Sequence, residues 1–310
     1  MKVTIVGAGN VGATCAQRLV EGDLADVYLV DVVEGLARGK ALDLAQAAPL
    51  VKHNRRLEGG ETYQGAEGSD LVIVTAGVAR KPGMSRDDLL ATNGRIVRAV
   101  CENLQRVVPD PLVIMVSNPL DVTTYVAAQV FGSPRERVMG MAGGLDTARY
   151  QTFIARAVGC APYEVEALVL GGHGDSMVPL PRLTAVNGTP LEELLSSEQI
   201  EAIVERTRKG GAEIVSYLKT GSAFYAPAAA VADMVQAIAL DEQRVIPCSV
   251  RLEGEYGLSD VFLGVPCRLG AGGAEEVVEL YLNAEETAAL QASAEHVRRT
   301  VADWERLAAG

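Results

Sequence analysis

The chain has 310 residues, 48% of them hydrophobic, with 40 acidic against 28 basic side chains and a formal net charge of -12. That size can bury a large core and leaves room for two domains, while the acidic balance excludes general attraction to nucleic-acid backbones or anionic membrane surfaces and leaves open only a local basic pocket. No apolar run approaches bilayer-spanning length and the N-terminal "VTIV" stops at Gly7, too short for a signal-peptide core, so a cytoplasmic protein is expected.

Short β-branched runs alternate with helical patterns through the first half. The order is a strand over 2–6 (KVTIV), a helix over 11–22, the strand "VYLVD" ending at Asp31, a helix over 34–47, a strand over 70–76 (DLVIVTA), a helix over 87–107, a strand over 111–117 (PLVIMVS) and a helix over 120–130. This rhythm predicts an α/β fold with a doubly wound parallel sheet and crossover helices. After about residue 143 the pattern changes. Strand-like runs "VEALVLG" and "MVPLPRLTAV" precede a polar helix over 196–218, and "VIPCSVRLEGEYG" and "DVFLGVPCRLG" follow it, separated by turn signals such as "VNGTP". Residues 1–143 are therefore expected to form one domain and 144–310 a second, of α+β type, closely packed on the first. A terminal helix opens at "NAEE", where Asn283 can cap with Glu286 three residues on, and Leu290, Ala294, Val297, Val301 and Trp304 fall on one core-facing stripe.

The first strand runs straight into "GAGNVG". Gly7, Gly9 and Gly12 there stand at the strand-to-helix turn where a dinucleotide-binding Rossmann domain needs them: for the tight turn, for close approach of the pyrophosphate and for helix packing. Cofactor contact is expected from Gly7, Ala8, Gly9, Asn10, Val11 and Gly12. Asp31, nineteen residues after Gly12, can accept from ribose hydroxyls and would repel a 2′-phosphate, and the following "VVEG" brings no base to offset it. NAD is favoured over NADP.

Each of the three histidines can be weighed separately. His53 and His296 lie in polar surroundings and are expected to be solvated. His173 stands past an apolar strand in "LGGHGDSMVP", where flanking glycines admit a ligand; alone it fits a general acid–base and a structural histidine equally well. The five cysteines have neither C-x-x-C pairs nor metal-ligand spacing, so reduced, mostly buried thiols and no metal site are expected.

Four motifs in order, "GAGNVG", "NPLD" (118–121), "GLDTARY" (144–150) and "GGHGDSMVP" (171–179), together resemble the lactate/malate dehydrogenase family over the whole chain. The resemblance implies a Rossmann domain followed by a catalytic domain, NAD as cofactor, and hydride transfer at the carbon bearing a 2-hydroxy acid's hydroxyl. It makes His173 the proton acceptor or donor, Asp146 its orienting carboxylate, Arg149 the clamp on the substrate's C1 carboxylate and Asn118 a hydrogen-bonding partner of the substrate oxygen. Without the other motifs, Arg149 would read as a surface ion pair with Asp146. Asn93, Val116, Ser117 and Asn118 match cofactor-contacting positions, and Ser222 is either a pocket residue or a turn hydroxyl.

The resemblance also accounts for two arginines in "TAGVARKPGMSRDDLL". It makes 77–93 a loop closing over substrate, with Arg86 polarising the C2 oxygen. Arg80 matches a position that is commonly glutamine in lactate enzymes and arginine in malate enzymes, so it implies a second substrate carboxylate and a malate/oxaloacetate pair. A solvated loop charge is the alternative for Arg80. A homotetramer is favoured over a dimer. The rival readings are an L-lactate dehydrogenase, a non-catalytic NAD-binding protein of the same fold, and an NAD-dependent glycoside hydrolase, which would need a metal cluster.

Overall fold

Apolar runs bounded by turn residues become strands, and periodic ones become helices, in the computed structural model, which describes residues 1–78 and 85–309. The first half comprises β1 (Lys2–Val6), α1 (Asn10–Glu21), β2 (Asp26–Val30), α2 (Leu36–Val51), β3 (Leu57–Gly60), β4 (Leu71–Val74), α3 (Arg86–Val107), β5 (Leu112–Met115), α4 (Leu120–Phe131) and β6 (Val138–Gly140). There follow α5 (Gly143–Val158), β7 (Val165–Glu166), β8 (Val169–Leu170), β9 (Val178–Pro179), β10 (Ala185–Val186), β11 (Thr189–Pro190), α6 (Leu191–Leu194), α7 (Ser197–Leu218) and α8 (Tyr225–Ala239). The chain closes with β12 (Arg244–Glu253), β13 (Ser259–Gly270), β14 (Gly273–Val277) and α9 (Ala284–Ala309).

The strands assemble in the order β14-β13-β12-β6-β5-β4-β1-β2-β3. From β6 to β3 all pairings are parallel. Strands β4 (LVIV) and β5 (LVIM) are buried at every residue, as strands covered by helices on both faces must be. The chain leaves β1 for β2 on one side and later returns to β4 on the other, so the order reverses at β1 and a crevice opens at the carboxyl ends of these strands. Beyond β6 the sheet continues antiparallel, with Ser249 of β12 opposite Gly140 of β6. The Rossmann sheet and the antiparallel strands β12 to β14 thus share one continuous sheet.

Two expected strands are broken. The run 165–171 divides into β7 and β8, which belong to different sheets, and 177–186 divides into β9 and β10 around a 3₁₀ turn at Pro181–Leu183. Pro179 and Pro181 lack the amide that a continuous ladder would need. The "VNGTP" turn does form a two-residue hairpin between β10 and β11, with Asn187 and Gly188 both at positive φ. Helix α8 escaped the helical pattern because its sequence is apolar nearly all round, with only Asp233 and Gln236 to mark a polar face, although it buries one side from Pro227 to Ile238. Strand β3 (LEGG) reads as a turn until the sheet pairs it.

Asn283 and Glu286 form the expected capping pair at the start of α9: Glu286 N donates to Asn283 Oδ1 (2.9 Å), and Asn283 N donates to Glu286 Oε2 (2.8 Å). The stripe is buried as expected except for half-buried Val301, and Trp304 lies against Gly94 of α3, where a Cβ would collide with the indole. His53 departs from expectation. It is half-buried, Nδ1 accepting from Arg55 N (3.3 Å) and Nε2 enclosed without a partner among the described residues, while the Arg55 side chain pairs with Asp23 (2.7 Å). All five cysteines are free thiols, and four are buried. Among the described residues, no helix is long and apolar enough to cross a membrane and no cluster of His, Cys, Asp or Glu could hold a metal.

Candidate active site

At the carboxyl end of β1, Gly7 takes φ +103°, a conformation nearly closed to L side chains, and its amide donates to Val30 O (2.8 Å). A Cβ at Gly12 would stand 1.9 Å from Gly7 O, so helix and turn touch there with no space to spare. Gly9 is the contrast: among the described residues a Cβ on it would meet no atom within 4 Å, and Gly9 caps α1 without any of their side chains answering the helix's free amides. Open space above uncapped N–H groups is what a pyrophosphate requires. Gly9→Ala is therefore expected to leave the melting temperature unchanged while weakening NADH binding roughly tenfold, about 1.4 kcal/mol. Gly12→Ala should lower both; titrating each variant by NADH fluorescence and by thermal melting separates the two cases.

Asp31 follows β2 at the same crevice. Its Oδ2 accepts from Ala8 N (2.7 Å) and its Oδ1 from Val33 N (2.9 Å), fixing the carboxylate beside the glycine turn with lone pairs still available to ribose hydroxyls. Glu61, which the sequence reading did not single out, adds a second carboxylate after β3. Its Oε1 accepts from Gly35 N (3.0 Å) and its Oε2 pairs with Arg38 (2.7 Å), so the arginine at the start of α2 is already held. Backbone hydrogen bonding from Gly35 first, and then the Arg38 charge, lower the Glu61 pKa despite some desolvation. The residues present fit NAD and disfavour a 2′-phosphate.

The ends of β4 and β5 form the inner wall. Thr75 Oγ1 donates toward Val6 O (3.1 Å) and Gly7 O (3.0 Å), binding the glycine turn to its neighbour strand. Ser117 Oγ donates to Ala76 O (2.6 Å), and Val116 N to Val74 O (2.9 Å). Asn93 is buried: its Oδ1 accepts from Val78 N (2.8 Å), and its Nδ2 donates to Val78 O (3.1 Å) and Asn118 O (2.7 Å). Both its amide hydrogens are thus committed to tying the loop after β4 to the Asn118 turn. The side chain of Asn118 is exposed to the cleft, and the Asn118–Pro119 bond is cis.

Opposite this wall, α5 and the loop after β8 place the charged groups. Asp146, 1% exposed, holds two partners: Oδ2 meets His173 Nδ1 at 2.7 Å and Oδ1 meets Arg149 Nη1 at 3.0 Å. With Nδ1 engaged, Nε2 is the imidazole nitrogen left for a ligand. Burial pulls the His173 pKa down, but the Asp146 charge and hydrogen bond outweigh it and hold the pKa above its ordinary value. Arg149 lies over Gly210 of α7, 3.2 Å from where a Cβ would be, and its Nε is enclosed without a partner among the described residues. A guanidinium so placed offers a fork for a carboxylate.

Arg86 is the first residue of α3, behind a capping box made by Ser85 and Asp88. Its Nη2 pairs with Asp175 (3.3 Å), two residues beyond His173, and both side chains are more than three-quarters exposed. Arg86 therefore stands at the mouth of the site, beside the His173 loop. Arg80 lies outside the described residues. Ser222 is exposed, its hydroxyl reaching Ala223 O at 3.5 Å.

Residues 1–140 match the family model described as lactate/malate dehydrogenase, NAD binding domain, and residues 144–307 match lactate/malate dehydrogenase, alpha/beta C-terminal domain. The chain is 52% identical to a malate dehydrogenase of Roseiflexus sp. (strain RS-1), over 97% of each chain, and 54% identical to one of Chloroherpeton thalassium (strain ATCC 35110 / GB-78), again over 97% of each. Among solved structures, malate dehydrogenase from Salinibacter ruber superposes with a TM-score of 0.95 at 49% identity, over 99% of this chain and 98% of that one. With both family regions matched and such relatives aligned from end to end, the chain belongs to the lactate/malate dehydrogenase family.

Proposed function

We propose that the chain is an NAD-dependent malate dehydrogenase, interconverting (S)-malate and NAD with oxaloacetate and NADH. The observation that carries the chemistry is the single buried carboxylate of Asp146 gripping both His173 and Arg149, which sets an acid–base group and a carboxylate fork in one rigid frame. End-to-end identity above 50% with relatives named malate dehydrogenase favours malate over lactate. When bound, NAD supplies the nicotinamide ring that exchanges hydride with C2 of the substrate.

The chain's residues do the rest. Arg149 holds the C1 carboxylate, and Asn118 meets the C2 oxygen from the other wall. His173 Nε2 takes the C2 hydroxyl proton during malate oxidation and returns it during oxaloacetate reduction, while Asp146 keeps the proton-bearing Nδ1 turned inward. Arg86 polarises the C2 oxygen once the loop closes and water is expelled. Gly7 to Gly12, Asp31, Asn93, Val116, Ser117 and Asn118 line the cofactor side. Malate oxidation needs neutral His173, so its kcat/KM should fall as pH drops through the histidine's pKa; oxaloacetate reduction needs the imidazolium and should fall as pH rises through it. Because the pKa is raised, both limbs should lie above pH 6.5, the ordinary value.

Arg80 is the specificity residue in this reading, partner of the second carboxylate. The test is NADH oxidation with oxaloacetate and with pyruvate, for the native protein and Arg80→Gln. A buried charge left unpaired costs roughly 3–5 kcal/mol, so oxaloacetate should lead by about a hundredfold or more and the substitution should erase most of the margin. Pyruvate leading in the native protein would make it a lactate dehydrogenase.

The reading further assigns residues 1–143 to cofactor binding and 144–310 to substrate binding, a cytoplasmic place in the tricarboxylic acid cycle, and a homotetramer in preference to a dimer. Exposed Leu42, Leu50 and Val51 on α2 support self-association. The net charge of -12 speaks against nucleic acid or membrane as partner.

A further inference from the structure

Three successive residues of the catalytic loop are held by three separate elements. Gly171 N donates to Gly264 O of β13 (2.8 Å), Gly172 N to Ser293 Oγ of α9 (2.8 Å), and His173 N to Asp121 Oδ2 of α4 (2.9 Å). The space is full as well: a Cβ on Gly172 would stand 2.8 Å from Val297 Cγ2 and 3.3 Å from Asp121 Oδ2. Of these anchors only Asp121 is ionisable. Its other oxygen accepts from Ser249 Oγ of β12 (2.7 Å), and the residue is buried.

We infer that Asp121 is a positioning residue for the proton-transfer step, a second carboxylate that pins the His173 backbone and adds a negative charge beside the loop that carries its imidazole. A buried carboxylate is costly to keep unless donors surround it, and here each oxygen has one, a backbone amide and a hydroxyl. Burial holds the Asp121 pKa above its ordinary value, and the bonds from Ser249 and the His173 amide offset part of that rise. Among the described residues the charged groups facing His173 are Asp146 and Arg149 from α5 and Asp121 from α4, with exposed Asp175 on its own loop paired to Arg86 of α3. From β12 and α9 come the hydroxyls of Ser249 and Ser293. Among the described residues two carboxylates thus oppose one guanidinium, and the imidazolium gains from both. Because Asp121 sits on a helix of the first half and His173 on a loop of the second, this contact also keeps the acid–base group in register with the cofactor wall.

The inference rests on the acid–base role proposed for His173, yet it can be tested without turnover. Only three histidines exist, so the His173 imidazole can be followed by proton NMR titration and assigned by its absence in His173→Gln. Asp121→Asn keeps the shape and an acceptor for the His173 amide but removes the charge. It should lower the His173 pKa by about one unit, roughly tenfold in proton affinity, and move the pH limbs of turnover by the same amount. Ser293→Ala, which removes an uncharged anchor, should lower kcat and leave the titration in place. If Asp121→Asn does not fold, Ser249→Ala takes its place, with a smaller downward shift expected because the carboxylate loses one donor and holds its charge less well. An unshifted His173 in the folded Asp121→Asn variant, or in Ser249→Ala where that substitute is needed, overturns the inference. A native protein inactive on oxaloacetate overturns the malate reading instead and leaves the titration result standing.

Discussion

Replacing His173 with glutamine is expected to lower kcat roughly 10²- to 10⁴-fold in both directions, the range that a positioned general acid–base contributes. Glutamine can still bond Asp146 and occupy the loop, so NADH binding, read by fluorescence titration, should be unchanged. The loss should also flatten the pH dependence, because the titrating group itself is gone. The structure gives this expectation its direction: Asp146 at 2.7 Å occupies Nδ1, which leaves Nε2 as the one ring nitrogen that can exchange a proton with substrate. A variant retaining more than a tenth of native kcat would remove His173 from the chemistry and leave it the structural histidine that its motif alone allowed.

The second large effect is expected at Arg149. Arg149→Met keeps much of the apolar stem over Gly210 but removes the fork, and it leaves Asp146 with His173 as its remaining charged partner. Breaking such a buried arrangement costs roughly 3–5 kcal/mol, so kcat/KM for oxaloacetate should fall about 10²- to 10³-fold or more. Arg149→Lys should recover little of it. An ammonium supplies a point charge where the structure presents an enclosed Nε and a planar pair of donors. Steady-state kinetics with oxaloacetate decides the matter: a rise in KM with kcat retained would mean that the clamp binds ground and transition states equally, whereas a fall in both kcat and kcat/KM would mean that it also aligns C2 toward the hydride. Native kinetics in Arg149→Met would return Arg149 to the surface ion pair that its i, i+3 spacing suggests.

What could be read before folding was what local pattern carries. The glycine triplet, the apolar runs of β1, β4 and β5, and the cap at Asn283 each depend on neighbours within a few residues, so periodicity and turn chemistry identify them. Pattern reading failed where tertiary contacts override local preference. Helix α8 is so rich in apolar residues that only its packing shows which side is buried, β3 is a glycine-rich segment that only its partner strand makes extended, and the run 177–186 reads as one strand until its prolines divide it between two sheets.

The candidate site divides in the same way. Histidine, arginine and aspartate announce their chemistry by type and by the motifs that hold them, so His173, Asp146 and Arg149 could be singled out in the sequence, and folding joins them in one hydrogen-bonded cluster, while Asp31 comes to lie beside the glycine turn. Thr75, Asp121, Ser249, Ser293 and Glu61 could not be singled out. Asp121 lies 52 residues from the amide it accepts, and Ser293 lies 121 from its own. A serine that anchors a catalytic loop has the same local surroundings in sequence as one that faces water. Which buried donor meets which buried acceptor is settled by how distant helices and strands pack, since an unpaired polar group in the interior costs more than most single contacts return.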